Sequence, residues 1–188
     1  DDILTAIRLQ QEFGYRVVLQ HVSEAYKVAD EIAEAGVAAS IIALDSFGGK
    51  LEAMDFSNTS GKALEDAGAW FGYHTDDGVS DSRLFLRSAA MGMREGMSRQ
   101  AAIEALTINN ARMLDAEHII GSLEEGKHAD FIILSGEPFS VYTKVDQTWI
   151  EGQKVWDHEN PEDREYYTGG YEIYRNGFHN HHAEEADQ

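Results

Sequence analysis

The chain has 188 residues, enough for one domain or for one domain and part of another. Its 34 acidic and 15 basic residues give a formal net charge of −19, which argues against nucleic acid or an anionic membrane surface as a partner. No apolar run approaches the length of a membrane-spanning helix, and the lack of cysteine excludes a disulfide framework and thiolate chemistry.

The first predicted elements are a helix, a strand and a second helix. Residues 1–13 carry apolar side chains at helical spacing, and Gly14 follows where a helix end is expected. Residues 16–22 form a short β-branched run that is typical of a strand. Ser23 is predicted to cap a helix that continues through Ala35. Because the chain begins inside a helical pattern without an initiator Met, we expect it to be a piece of a longer protein.

The middle of the chain continues the alternation of strands and helices. A strand is predicted over 37–44, a loop over 45–58, a short helix over 60–67 and a further strand over 69–75. Strands that are continuous apolar runs and alternate with helices indicate a parallel sheet with helices on its faces.

The pattern changes in the last third of the sequence. Ser80 is predicted to begin one helix and Ser98 another, which complete a first region over 1–114. Residues 115–157 alternate in short runs with glycine turns and indicate a separate small β module. Residues 158–188 are acidic and poor in aliphatic side chains, so we interpret them as an arm or tail.

Polar side chains follow three predicted strands at their carboxyl ends. The first strand ends at His21, the second at Asp45, and the third at the run His74, Thr75, Asp76. Functional residues of βα folds gather at these ends. Strand alternation allows His21 and Asp76 to point at the same spot above the sheet. An imidazole and a carboxylate that converge there make a plausible zinc or similar divalent site.

Each of these residues also has a purely structural interpretation. A single histidine without an identified partner, such as His21, is more often a core or helix-capping residue than a ligand. Asp76 is compatible with a turn cap. Asp81 favours the positive end of the next helix, and Lys50 and Glu52 are compatible with a solvated loop pair. Three histidines near the chain end are interpreted as part of a polar tail: His179, His181 and His182.

Five stretches together carry a family pattern: RVVLQHVSEAYKVADEIAEAGV, FGYHTDDGVSDSRLFLRSAAMGMREGMS, SRQAAIEALTINNARML, GSLEEGKHADFIILSGEPF and VDQTWIEGQKVWD. In this order they resemble the carboxyl-terminal part of the amidohydrolase superfamily, in its imidazolonepropionase-like branch. The resemblance covers residues 1–157. It implies an α/β fold with about strands six to eight of a (β/α)₈ TIM barrel, their helices, and part of a small β-sandwich.

The resemblance also implies roles for three residues. His21 matches a metal ligand at the end of the sixth barrel strand. Asp76 matches the aspartate at the end of the eighth, which binds metal and moves the proton of the attacking water. His74, on the same strand face, is expected to contact the substrate. The implied cofactor is a divalent metal, zinc before others, with one or two ions in the longer protein.

The implied function is a metal-dependent hydrolase of C–N bonds in small-molecule amides, cyclic amides or amidines. The family's ligands from the first, fourth and fifth strands have no counterpart here, so we expect the chain alone to be inactive, or to need a missing amino-terminal segment or further copies of itself. The alternative is a non-catalytic βα module that self-associates through open sheet edges. A flavodoxin-like binder is disfavoured, because no phosphate-binding glycine motif follows any strand.

Overall fold

A computed structural model describes residues 2–43, 54–77 and 79–168. Its helices and strands follow in chain order: α1 (Asp2–Phe13), β1 (Val18–Leu19), α2 (Ala29–Ala35), β2 (Ala38–Ile41), α3 (Ser60–Ala67), β3 (Phe71–Tyr73), α4 (Phe85–Arg94), α5 (Arg99–Leu106), α6 (Ile108–Met113), β4 (Phe131–Leu134), β5 (Val145–Ile150), β6 (Gln153–Asp157) and α7 (Pro161–Thr168). In the part of the chain that is described, no helix is both long and apolar enough to cross a membrane.

Strands β1, β2 and β3 form a parallel sheet with β2 in the centre. Ala39 of β2 is level with Leu19 on one side and with Phe71 on the other. All four residues of β2 are buried, as expected for a parallel strand with both faces covered. The helices bury apolar side chains against this sheet, among them Ile32 and Leu64, which are fully buried. The predicted α/β class is therefore confirmed.

Strands β4, β5 and β6 form a second, antiparallel sheet with β5 in the centre. The rings of Phe131 and Trp149, directly opposite each other, are stacked with their centroids 5.6 Å apart. The change from parallel to antiparallel pairing falls after α6, near the predicted boundary at residue 114. The boundaries of the regions 1–114, 115–157 and 158–188 remain predictions.

The beginning of α2 differs from the expectation. Ser23 does not cap this helix, because its hydroxyl donates to the carbonyl of His21 at 3.2 Å and so belongs to the turn that follows β1. A single 3₁₀ turn over Ala25–Lys27 comes next, and α2 begins only at Ala29. The predicted helix end is confirmed, since Gly36 takes the left-handed conformation with φ of 64°.

Two helices in the second half also differ from the expectation. The helix predicted from Ser80 begins at Phe85, after a 3₁₀ turn that the carboxylate of Asp81 caps by accepting from the Arg83 amide. The helix predicted after Ser98 is broken at Thr107, whose φ and ψ are −132° and −99°. The Thr107 hydroxyl donates to the Ile103 carbonyl at 2.7 Å, a local bond that competes with regular helix geometry.

Several predicted features lie outside the described residues or only partly within them. The loop predicted over 45–58 is described only from residue 54, which leaves Asp45, Lys50 and Glu52 outside. Within the predicted tail, Pro161–Thr168 forms helix α7. The three histidines near the chain end lie outside the described residues: His179, His181 and His182.

Candidate active site

The three residues predicted for the site lie together at the carboxyl ends of β1 and β3. His21 Nδ1 is 3.4 Å from Asp76 Oδ2 and 3.3 Å from His74 Nε2. The two imidazole rings meet edge to face, with centroids 4.7 Å apart and an interplanar angle of 84°. Parallel strands end at one edge of a sheet, which is how residues far apart in sequence meet here.

Both predicted metal ligands have an unusual backbone conformation. His21 has φ of 55° and Asp76 has φ of 50°, in the left-handed region that residues other than glycine enter at a cost. The turn after each is closed by a backbone hydrogen bond, from the Ser23 amide to the His21 carbonyl at 2.8 Å and from the Val79 amide to the Asp76 carbonyl at 2.7 Å. Such conformations cost roughly 1–3 kcal/mol each and cluster at functional sites.

His74 is tied to the central strand of the sheet. Its amide donates to the Ile41 carbonyl at 3.0 Å, and its Nδ1 lies 2.6 Å from the hydroxyl oxygen of Ser40. The pKa of His74 is lowered to about 4, mainly by burial and also by the neighbouring His21, while Asp76 opposes the shift. His74 is therefore neutral near pH 7. The side chains of His21 and Asp76 are about half exposed, which makes them accessible to a ligand.

The spacing of His21 and Asp76 fits a shared metal ion. A tetrahedral zinc with Zn–N and Zn–O bonds of about 2.0–2.2 Å keeps two donor atoms about 3.4 Å apart. The separation of His21 Nδ1 and Asp76 Oδ2 is 3.4 Å. Within residues 2–43, 54–77 and 79–168, however, no group of three His, Cys, Asp or Glu side chains converges on one metal position. These residues thus supply a pair of donors, one fewer than a catalytic zinc site normally takes from its protein.

Described residues line a cavity beside these three residues and a larger one away from them. A cavity of about 420 Å³ opens beside His74 and is also lined by Ser40 and Thr75. A second cavity of about 660 Å³ lies between α4 and the antiparallel sheet, where Arg87 and Trp156 line it. The smaller cavity is the better candidate for a ligand site, because His74, a member of the cluster of two imidazoles and a carboxylate, lines it.

Two asparagines of α6, which the sequence analysis did not single out, hold the outer edge of β3. The side-chain amide of Asn109 donates to the Phe71 carbonyl at 2.9 Å, and that of Asn110 donates to the Tyr73 carbonyl at 2.9 Å. The sequence contains a signal for them, because asparagine is a poor helix former. Two adjacent asparagines inside a predicted helix therefore indicate a specific side-chain contact. Ser40 was missed too, although it is a polar residue inside an apolar strand.

Several known proteins are similar to this chain. A family model described as amidohydrolase family matches residues 2–156. An imidazolonepropionase of Bacteroides fragilis is 29% identical over 146 residues, which cover 73% of this chain and 33% of that protein. The structure of an amidohydrolase from Thermotoga maritima superposes with a TM-score of 0.78 and 36% identity, over 84% of this chain and 41% of that one.

A third similar protein contains a metal. The structure of an adenosine deaminase from Xanthomonas campestris with bound zinc superposes with a TM-score of 0.56 at 22% identity, over 73% of this chain and 36% of that one. At this identity the similarity concerns the fold alone. This chain spans less than half the length of each of these three proteins.

Proposed function

The chain belongs to the amidohydrolase superfamily, in its imidazolonepropionase-like branch, and from this premise we propose that it forms part of a metal-dependent hydrolase of C–N bonds in small-molecule amides, cyclic amides or amidines. One observation carries the proposal. His21 and Asp76, from two different strand ends, hold their donor atoms 3.4 Å apart, and both do so in a strained backbone conformation.

The proposed roles follow from the chemistry of the three side chains. His21 and Asp76 would hold the divalent ion, zinc before others, since imidazole and carboxylate are ordinary zinc donors. When bound, such an ion supplies a Lewis acid and makes a water molecule nucleophilic near neutral pH. Asp76 takes the proton of the attacking water and passes it to the leaving nitrogen. His74 contacts the substrate in the adjoining cavity.

The architecture supports a partial barrel. We propose that β1, β2 and β3 with their helices are strands six to eight of a (β/α)₈ barrel, and that the antiparallel sheet is part of a β-sandwich. The remaining ligands would then come from an amino-terminal segment or from another copy of the chain. On this proposal the 188-residue chain alone is inactive.

The experiment measures zinc bound per chain, by plasma mass spectrometry and calorimetric titration, on protein without an affinity tag. His179, His181 and His182 are replaced with alanine in every sample, because imidazoles in a tail bind metal adventitiously. In that background we compare His21→Ala and Asp76→Asn with a matched control, His128→Ala, whose ring is partly exposed in the segment before β4.

We expect zinc binding to weaken at least about tenfold in His21→Ala and in Asp76→Asn, and to stay unchanged in the control. Equal zinc binding in all samples would contradict the assignment of the ligands. Hydrolysis of amide or cyclic amide substrates by the chain alone, at an enzyme-like rate, would contradict its proposed dependence on further segments. A stable oligomer that binds no metal would favour the non-catalytic alternative.

A further inference from the structure

Ser40 stands out because it is a buried hydroxyl with a single partner. It lies in the central strand β2 and is only 4% exposed, between the apolar residues Ala39 and Ile41. Its hydroxyl oxygen lies 2.6 Å from His74 Nδ1. Among the described residues it has no second hydrogen-bond partner. A polar group in such a position costs free energy unless its bond is well made.

The direction of this hydrogen bond follows from what each alternative leaves unpaired. If Ser40 accepted a proton from His74 Nδ1, its own O–H would point at no described acceptor, and buried donors without a partner are rare. If Ser40 donates to Nδ1, only lone pairs of the hydroxyl stay unused, which is the cheaper outcome. This comparison favours the Ser40 hydroxyl as the donor and His74 Nδ1 as the acceptor.

This direction determines where the imidazole proton is. A neutral imidazole carries one N–H, so an acceptor at Nδ1 puts the proton on Nε2. His74 Nε2 faces the site, 3.3 Å from His21 Nδ1. With the His74 amide also bonded to the Ile41 carbonyl at 3.0 Å, both the backbone and the ring of His74 are tied to β2.

We propose that Ser40 is a positioning residue that holds His74 as the Nε2–H tautomer, with that N–H available to an oxygen atom of the substrate. The substrate part of this inference rests on the proposed function, because amides and cyclic amides carry a carbonyl oxygen that accepts such a bond. His21 Nδ1 can offer only one lone pair, so if His21 held a metal ion through that atom, the His74 N–H would be free to donate to the substrate.

The test reads the tautomer directly and needs neither metal nor substrate. The 188-residue chain is labelled with ¹⁵N at histidine, and two-bond nitrogen–proton correlations are recorded at pH 8, where imidazoles of ordinary pKa are neutral. The His74 signals are assigned by their loss in His74→Gln. We compare the wild-type chain with Ser40→Ala, which removes the hydroxyl, and with Ser40→Thr, which restores one.

Ser60→Ala is the matched control. Ser60 is also buried, at 5% exposed, and its hydroxyl oxygen has no hydrogen-bond partner among the described residues. Its removal deletes a buried hydroxyl without touching His74. Circular dichroism on all variants shows whether each is folded.

We expect the wild-type chain to show the Nε2–H pattern with a hydrogen-bonded Nδ1. The Nδ1 resonance shifts in Ser40→Ala, returns in Ser40→Thr and stays in place in Ser60→Ala. A proton on Nδ1 in the wild-type chain would overturn the inference, as would identical His74 signals in wild type and Ser40→Ala. If Ser40→Ala does not fold, the inference is tested by the tautomer of His74 in the wild-type chain and by whether Ser40→Thr keeps the wild-type His74 signals. A failure to bind zinc would count against the proposed function and would leave this result unaltered.

Discussion

Replacing Gly72 with alanine tests how the outer edge of β3 is held beside the site. A Cβ at this position would lie 2.0 Å from Asn110 Oδ1 and 3.1 Å from the Ala105 carbonyl oxygen. The Asn110 side chain must therefore move by more than about 1 Å to regain van der Waals distance. That movement breaks its hydrogen bonds to the Tyr73 carbonyl at 2.9 Å and to the Ala105 carbonyl at 3.1 Å.

The magnitude follows from these losses. Two hydrogen bonds at about 1 kcal/mol each, with about 1–3 kcal/mol of overpacking, outweigh the roughly 0.5–1 kcal/mol that alanine gains over glycine in a strand. We expect Gly72→Ala to lower the free energy of unfolding by about 3 kcal/mol. Asn110→Ala loses the same two bonds and is expected to lower it by about 2 kcal/mol.

The double variant separates this explanation from a general loss of stability. Without the Asn110 amide, the nearest remaining neighbour of the new Cβ is the Ala105 carbonyl oxygen at 3.1 Å. The double variant is therefore expected to lose about 2–3 kcal/mol rather than the sum of the single effects, a coupling of about 2 kcal/mol. Urea unfolding followed by circular dichroism measures all four free energies.

Gly136→Ala serves as the control, because its Cβ meets only the Thr143 hydroxyl oxygen, at 3.2 Å on an exposed turn. We expect a change within about 0.5 kcal/mol. Strictly additive effects of Gly72→Ala and Asn110→Ala would refute this explanation, because they would mean that the new methyl group and the asparagine do not compete for one space.

Three further changes address other parts of the fold. Gly92→Ala places a Cβ 2.4 Å from the Tyr73 hydroxyl oxygen; we expect a loss of about 1–3 kcal/mol in urea unfolding, partly recovered by Tyr73→Phe, and no recovery would contradict this packing. Ser98→Ala removes the side-chain cap of α5, whose hydroxyl oxygen accepts from the amide three residues later at 3.1 Å. We expect the free energy of unfolding to fall by about 1 kcal/mol, and an unchanged value would show that the cap is dispensable. The hydrogen bond from Arg83 holds the pKa of Asp81 below its usual range. The stabilisation from this Asp81–Arg83 interaction is therefore complete above the ordinary carboxyl pKa of about 4. It is lost as the pH falls through the lower pKa that Asp81 has in the folded chain. As the pH is lowered, the urea concentration at the unfolding midpoint should fall less steeply in Arg83→Gln than in wild type. Equal pH dependence in the two proteins would show that the Asp81–Arg83 pair does not contribute to stability.

Elements whose beginning and end are both marked by local chemistry were predictable from the sequence. Helix α1 ends at Phe13 before Gly14, whose φ is 69°, and α3 covers the predicted 60–67 before Gly68, whose φ is 71°. Glycine in these positions allows the left-handed conformation that ends a helix, so one residue carries the signal. The meeting of His21 with Asp76 was also predictable, because the ends of parallel strands share one edge.

Features set by tertiary contacts were not predictable in this way. The strand expected over 16–22 is reduced to Val18–Leu19, because its last residues turn at His21 instead of continuing the ladder. The outer edge of β3 is held by Asn110, whose partner carbonyl at Tyr73 lies 37 residues earlier in the sequence. No local pattern encodes such a contact, and only the packing of α6 against β3 creates it.

The strain at His21 and Asp76 offers an argument about function that does not depend on sequence similarity. Glycine would hold φ values of 55° and 50° without the cost of a Cβ, and the sequence uses glycine at other left-handed positions such as Gly36 and Gly68. At the two strand ends it keeps an imidazole and a carboxylate instead. Asp115, after α6, and Glu151, between β5 and β6, also have left-handed φ values, of 56° and 49°, so the conformation alone does not mark function. What distinguishes His21 and Asp76 is that their donor atoms also meet at 3.4 Å, which supports the proposal that they bind a metal ion.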